Sequence, residues 1–178
     1  VHSVHRDVPG FDARNGYLFV GAVHNAESPN GDSLVWFLRE IWPLLRAQGA
    51  ERLDVVGLCE SDEVQRLAAA SEGVTLHGRV AAVEPFYDRA RVFIVPTRFA
   101  AGIPHKAHEA AAHGVPMVVT SLIARQLGWH DGVETDVADR AEDFAGKCHA
   151  LHEESQRWLA RQSAAFAAIE RDCSTRAF

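Results

Sequence analysis

The feature of this sequence that most constrains its fold is an alternation of short apolar segments with longer amphipathic ones. The apolar segments are rich in β-branched residues, and most of them stop at a glycine or a proline, which is typical of strands buried on both faces. Strands that are each followed by a helix predict a parallel sheet, and right-handed crossovers place helices on both of its faces. We therefore predict a doubly wound, Rossmann-like α/β domain of about six strands. The strands are predicted at 17–22, 53–56, 74–76, 92–95 and 117–120, with a weak one at 134–137.

Helices are predicted where apolar residues recur at a spacing of three and four. The first, over 33–47, should be capped by Asp32 or Ser33 and bent at Pro43. The others are predicted at 63–70, 83–90, 105–113, 141–152 and 154–169.

The length of the chain, 178 residues, suits one domain with its own core. Residues 1–16 are polar and contain Pro9, Gly10 and Gly16, so we expect a lead-in or interdomain linker there, and the domain itself over 17–178.

Composition limits the classes of function. The net charge is −6, whereas non-specific nucleic-acid binding needs a basic face, so no nucleic-acid partner is expected. No apolar run approaches the length of a membrane span. The three cysteines are widely spaced, with no CxxC pair, which favours reduced thiols and a cytoplasmic location.

The stretch 92–110 carries the most chemical information. A buried strand leads through a glycine loop to a helix that starts near Pro104, and the amide groups and dipole of a helix start attract an anion such as a diphosphate. Gly102 permits close approach of that anion to the backbone. Lys106 and Glu109 share a helix face, so the lysine can pair with a phosphate and the glutamate can accept hydrogen bonds from a ribose diol, or the two can form an ordinary surface ion pair.

Two further residues follow predicted strands, where ligands bind in doubly wound folds. His24 comes after the first strand and is either a contact to the diphosphate or sugar or a solvated loop residue. Arg98 comes after the fourth and can stabilise phosphate charge or form a salt bridge to a carboxylate. His108 and His113 are five residues apart, about 140° around a helix, so they cannot ligate one metal from one face, and no metal site is expected.

The stretch 92–110, followed by the His-Gly-Val-Pro-Met-Val-Val run at 113–119, resembles the signature of the group 1 (family 4) glycosyltransferases of the B-type fold. The Phe-Val-Gly run at 19–21, the Val-Val-Gly run at 55–57 and the Leu-His-Gly-Arg-Val run at 76–80 follow in the order of the family's C-terminal half, and residues 173–178 are similar to the start of its last helix. The resemblance implies a retaining hexosyltransferase whose substrate is a UDP- or GDP-linked sugar, with no separate cofactor.

The resemblance also implies roles for individual residues. Glu109 would hold the ribose, and Lys106 with Arg98 would stabilise the leaving diphosphate. The backbone of Arg79 and Val80 would lie beside the family's base-reading loop. The remaining donor-binding positions are glycines and a loop residue that follow the strands: Gly21, Gly78, Gly102 and Ile103.

The family pattern further implies an N-terminal acceptor-binding domain, so we expect this chain alone to be inactive and any peripheral membrane association to come through that other half. Many family members carry a glutamate eight residues before the ribose-binding one, but Ala101 stands there in this chain. Others carry an Arg and a Lys in the first loop, and a subset instead has the Arg98 and Lys106 arrangement. A non-catalytic nucleotide-sugar-binding domain and half of a sugar-nucleotide epimerase remain as alternatives.

Overall fold

The computed structural model of the chain describes residues 4–5, 7–99 and 104–172. Its centre is a six-stranded parallel sheet in the order β3-β2-β1-β4-β5-β6, which is the Rossmann strand order. The predicted fold class is therefore confirmed. The strands are β1 (Tyr17–Val20), β2 (Leu53–Val56), β3 (Val74–Gly78), β4 (Val92–Val95), β5 (Met117–Val119) and β6 (Asp136–Val137).

Eight α-helices cover the sheet within the described ranges. They are α1 (Pro29–Trp36), α2 (Trp42–Ala47), α3 (Asp62–Ala69), α4 (Glu84–Arg89), α5 (His105–Ala112), α6 (Ser121–Leu127), α7 (Ala141–Glu153) and α8 (Ser155–Asp172).

Two hydrophobic cores form because successive strand residues point to opposite faces of the sheet. Phe19 and Ile94 pack on one face with side chains of α1, α2, α3 and α7. Leu18 and Phe93 pack on the other with side chains of α4, α5, α6 and the second half of α8. Helices thus lie on both faces, as the continuous apolar strands predicted.

The first helix begins earlier than predicted. It starts at Pro29, and the hydroxyl of Ser28 accepts a hydrogen bond from the amide of Gly31, so the caps predicted at Asp32 and Ser33 were wrong. Ser28 before a proline is itself a normal start, since proline at the first helical position loses no hydrogen bond. A bend was predicted at Pro43. Just before that proline the chain forms a π-helical segment over Phe37–Ile41, which separates α1 from α2.

Helix α6 was not predicted from the sequence. This helix follows Thr120 and ends at Gly128, whose φ is 69°. A polar residue before the helix and a left-handed glycine after it are ordinary start and stop signals, but the helix is short.

The lead-in folds back onto the domain. A 3₁₀ turn at Phe11–Ala13 precedes Arg14, which is 1% exposed. Its guanidinium donates to the carbonyl oxygens of Tyr87, of Ala90 at 3.2 Å and of His113 at 2.8 Å. The chain entering β1 is therefore attached to the carboxyl ends of α4 and α5. Along the described part of the chain, no helix is long and apolar enough to cross a membrane.

Candidate functional site

A cleft of about 510 Å³ opens at the carboxyl edge of the sheet, above the neighbouring strands β1 and β4. The chain leaves β1 towards β2 and β3 on one side and later returns to β4 on the other, so this is the topological switch point where doubly wound folds bind ligands. The walls come from both strands, the loop after β1, the first turns of α1 and α5, and α6. Residues lining it include Val20, Ala22, His24, Ser28, Asn30, Thr97, Pro104, His105, Lys106, Ile123 and Gln126.

The start of α5 forms one wall of this cleft. Pro104 occupies the N-cap position and has no side chain that could cap the helix, which begins at His105. The amide of Ala107 donates to the carbonyl oxygen of Pro104 at 2.9 Å, and the positive end of the helix dipole at this start favours an anion. Gly102, Ile103 and Ala101, which belong to the loop before it, lie outside the described residues.

Lys106 stands on the first turn of α5 and lines the cleft, with its side chain exposed at the rim. Surrounding protein partly desolvates the ammonium group and so lowers the pKa of Lys106, and the nearby charge of Glu109 partly offsets that effect. A desolvated ammonium group beside a helix start gains from a bound anion, because the anion restores the lost stabilisation of its charge.

Glu109 lies one turn deeper on α5 and is half-buried. Its Oε2 accepts a hydrogen bond from the hydroxyl of Tyr87 at 3.2 Å. Tyr87 belongs to α4 and is fully buried. Glu109 is thus neither a solvated surface residue nor part of the wall formed by Lys106. Lys106 and Glu109, which define the predicted site, therefore lie on one short helix. Lys106 is at the carboxyl edge of the sheet, and Glu109 is one turn below it.

The loop after β1 closes the opposite wall. Gly21 is buried, and a Cβ atom there would lie 2.9 Å from Nδ2 of Asn30 and from a ring carbon of Phe19. The side-chain amide of Asn30 donates a hydrogen bond from Nδ2 to the carbonyl oxygen of Ala22 at 2.8 Å, which holds this loop against α1. His24 lines the cleft, and its Nδ1 lies 2.7 Å from Oε2 of Glu60, with both side chains exposed.

Arg98 follows β4, but its guanidinium is engaged by α1. Its Nε donates to Oδ2 of Asp32 at 2.9 Å, a second bond reaches the other carboxylate oxygen, and its Cζ lies 5.2 Å from the ring centre of Trp36. These hydrogen bonds raise the pKa of Arg98, so its charge is permanent. In this conformation, the salt bridge weighed in the sequence analysis is formed, and Arg98 is beside the cleft rather than in its wall.

Arg79 and Val80, whose backbone is predicted to lie near the base, follow Gly78 at the end of β3, two strands away from β1. Gly78 ends the strand with φ 66°, and its carbonyl accepts a hydrogen bond from the amide of Gly57 at 2.9 Å. Arg79 is exposed, and Val80 packs against the core beneath α4 and α5. Neighbouring strands are about 4.8 Å apart, so this group lies roughly 10 Å along the sheet edge from the cleft floor.

Several residues that line the cleft were not predicted from the sequence. Ile123 and Gln126 come from α6, which was not predicted. Thr97 lies directly after β4 and is 7% exposed, and its hydroxyl is 3.3 Å from that of Ser33. Its position after a strand could have identified Thr97 from the sequence, but its contact with Ser33 of α1 could not have been predicted. In the described ranges, no group of three or more His, Cys, Asp or Glu side chains could hold a metal ion.

Comparison with protein families gives a match over residues 14–154 to the model described as "Glycosyl transferases group 1". The matched region starts at the buried Arg14 and ends after α7, so it contains the whole sheet and the cleft. No curated protein matches the chain.

Solved structures share the fold at low sequence identity. A mutant of TarM from S. aureus, solved with UDP, α-GlcNAc-glycerol and fondaparinux, has a TM-score of 0.79 and 12% identity, covering 99% of this chain and 36% of its own. The pneumococcal O-GlcNAc transferase GtfA, solved with UDP and GlcNAc, has a TM-score of 0.71 and 16% identity, covering 95% and 35%. The C-terminal domain of LpcC from Francisella tularensis has a TM-score of 0.71 and 12% identity, covering 98% and 97%. The chain therefore spans about a third of the length of TarM and GtfA and nearly all of the LpcC domain.

Proposed function

Because this chain belongs to the group 1 glycosyl transferases, we propose that it binds a nucleotide-diphosphate sugar and serves as the donor-binding domain of a retaining glycosyltransferase. One observation carries the proposal. At the switch point of the sheet, the start of α5, which no side chain caps, and the partly desolvated ammonium group of Lys106 line one cleft, while a carboxylate lies one turn deeper on the same helix.

The chemistry of each group matches one part of such a donor. The start of α5 and Lys106 offer positive charge to the diphosphate. Glu109 offers carboxylate oxygens to the ribose diol. The turn at 78–80, further along the same edge, lies on the side where the base would extend. UDP is the first donor nucleotide to test, because TarM and GtfA were both solved with it.

In the proposed reaction, negative charge develops on the diphosphate as the glycosidic bond breaks. Lys106 and the dipole of α5 stabilise that charge electrostatically, so the reaction is proposed to need no metal ion. Arg98 joins them if it leaves Asp32. Glu109 orients the donor and does not act as a general base. The acceptor and the remaining catalytic groups would come from an N-terminal domain of the complete cytoplasmic enzyme, which transfers a hexose.

Titration calorimetry with UDP and with GDP tests the proposal on the chain of 178 residues. We expect weak binding of at least one nucleotide and no turnover of a nucleotide sugar. Glu109→Ala should weaken binding, whereas Glu142→Ala, which removes a glutamate paired with Arg140 at the surface, should not. Absence of binding by both nucleotides would contradict the proposed site.

A non-catalytic binding domain is the second candidate, and two observations favour it. Ala101 replaces a glutamate common in the family, and Arg98 is held by Asp32. Activity of the complete protein on a panel of nucleotide sugars discriminates: transfer or hydrolysis supports the enzyme, and binding without either supports the second candidate.

A further inference from the structure

The chain has two tyrosines, and both are buried. Tyr17 begins β1 and packs against Trp42 and His152, at the amino edge of the sheet, away from the cleft. Tyr87 lies against the second half of α5, where its hydroxyl reaches the Glu109 carboxylate. The two residues therefore form a natural pair of test and control positions.

Tyr87 is held rigidly. Its ring stacks on that of His113 at a centroid distance of 5.1 Å and packs against Phe93 at 5.8 Å. The guanidinium of Arg14 binds its backbone carbonyl oxygen. Because the ring and the backbone of Tyr87 are both held, its hydroxyl oxygen stays in one position relative to Glu109.

The hydroxyl of Tyr87 is a permanent donor. Burial and the charge of Glu109 raise the pKa of Tyr87 well above its ordinary value, so the group stays protonated at all working pH values. A carboxylate has about four sites that can accept a hydrogen bond. The bond from Tyr87 therefore uses part of the capacity of Glu109 and selects one orientation of a side chain that is otherwise long and mobile.

We propose that Tyr87 is a positioning residue that orients the Glu109 carboxylate for the ribose hydroxyls, and that this contact makes the site selective for ribonucleotides over deoxyribonucleotides. The inference rests on the proposed function. A fixed carboxylate loses a hydrogen bond when the 2′-hydroxyl of the nucleotide is missing, whereas a mobile carboxylate can reorient or bind water instead. Selectivity for the ribonucleotide therefore depends on the tyrosine as well as on the glutamate.

The experiment compares UDP with 2′-deoxy-UDP by calorimetry on the wild-type chain, Tyr87→Phe and Tyr17→Phe. The wild type should prefer UDP by about tenfold, since a hydrogen bond to a charged group is lost with the hydroxyl. Tyr87→Phe should weaken UDP about three- to tenfold, weaken 2′-deoxy-UDP less, and reduce the preference below about threefold. Tyr17→Phe should retain the wild-type preference.

Coupling to Glu109 is measured in the double variant. Tyr87→Phe should have no further effect on UDP affinity in a Glu109→Ala background, because its effect passes through the carboxylate. If Tyr87→Phe keeps the wild-type preference for UDP, or has its full effect without Glu109, the inference is wrong while the proposed function stands. If the wild type binds neither nucleotide, the proposed function itself fails.

A second measurement needs no substitution at Tyr87. Tyrosine labelled with ¹³C at Cζ gives two resonances in this chain, and Tyr17→Phe assigns them. UDP should shift the Tyr87 signal, because the bond from its hydroxyl changes when Glu109 engages the ribose, and should leave the Tyr17 signal in place. An unchanged Tyr87 signal at saturating UDP would overturn the inference.

Discussion

Replacement of Lys106 by glutamine tests the diphosphate end of the cleft most directly. The ammonium group lies at the rim, on the first turn of α5. An exposed ion pair is worth about 0–1 kcal/mol, and a hydrogen bond to a charged group about 1.5–3 kcal/mol. Because Lys106 is exposed but partly desolvated, we expect a loss between these ranges, about 1–2 kcal/mol, which is a roughly five- to thirtyfold higher Kd for UDP.

The pH dependence of UDP binding gives the same prediction a second readout. Burial lowers the pKa of Lys106 in the free chain, and a bound diphosphate favours the protonated form and raises that pKa again. Above about pH 7, where the terminal phosphate of UDP is fully ionised, affinity should be constant up to the pKa of Lys106 in the free chain and fall as the pH rises through it. The Lys106→Gln variant should lack this fall.

The other lysine of the chain provides the control. Lys147 donates to the carboxylate of Asp131 at 2.8 Å and to the carbonyl of Val137 at 2.7 Å, on a different part of the surface. Lys147→Gln should keep the wild-type Kd for UDP in calorimetry at the same ionic strength. Equal weakening by the two substitutions, or no effect of Lys106→Gln at low salt, would refute the assignment of Lys106 to the diphosphate.

Three further substitutions test other parts of the structure. Asp32→Asn removes the charged partner of Arg98 and should tighten UDP binding about two- to fivefold, the worth of an exposed pair; unchanged or weaker binding in calorimetry would place Arg98 outside the site. Arg14→Ala leaves buried carbonyls without their charged donor and should lower the free energy of unfolding by at least about 3 kcal/mol, which urea denaturation would measure. Gly57→Ala places a Cβ 2.3 Å from the carbonyl oxygen of Gly21 at φ 130°, so it should cost more than about 1 kcal/mol of stability and also weaken UDP binding; a wild-type melting temperature would contradict this geometry.

The amino-acid sequence by itself determined the parts of this protein that depend on neighbouring residues. The bounds of β4 and the start of the helix that carries Lys106 and Glu109 were predicted closely, because burial periodicity and proline signals act within a few residues. The six strands and the doubly wound class followed from the same local patterns.

Local signals also failed where two of them competed or where an element was short. Helix α1 starts at Pro29 with Ser28 as its N-cap, and not at Asp32, because the serine hydroxyl accepts a hydrogen bond from the amide of Gly31. Proline also suits the first helical position. The short α6 was missed, and Ile123 and Gln126 were missed with it.

Only the tertiary structure decided which side chains meet. The strand order places β1 beside β4 and so creates the cleft between segments far apart in the chain. The contacts of Arg98 with Asp32 and of Tyr87 with Glu109 span 66 and 22 residues. No local pattern encodes such partners, because each contact depends on how whole helices pack on the two faces of the sheet. Sequence therefore predicted which residues would bind a diphosphate and a ribose, and packing determined that Lys106 lines the cleft, that Arg98 is paired and that Glu109 accepts a hydrogen bond from Tyr87.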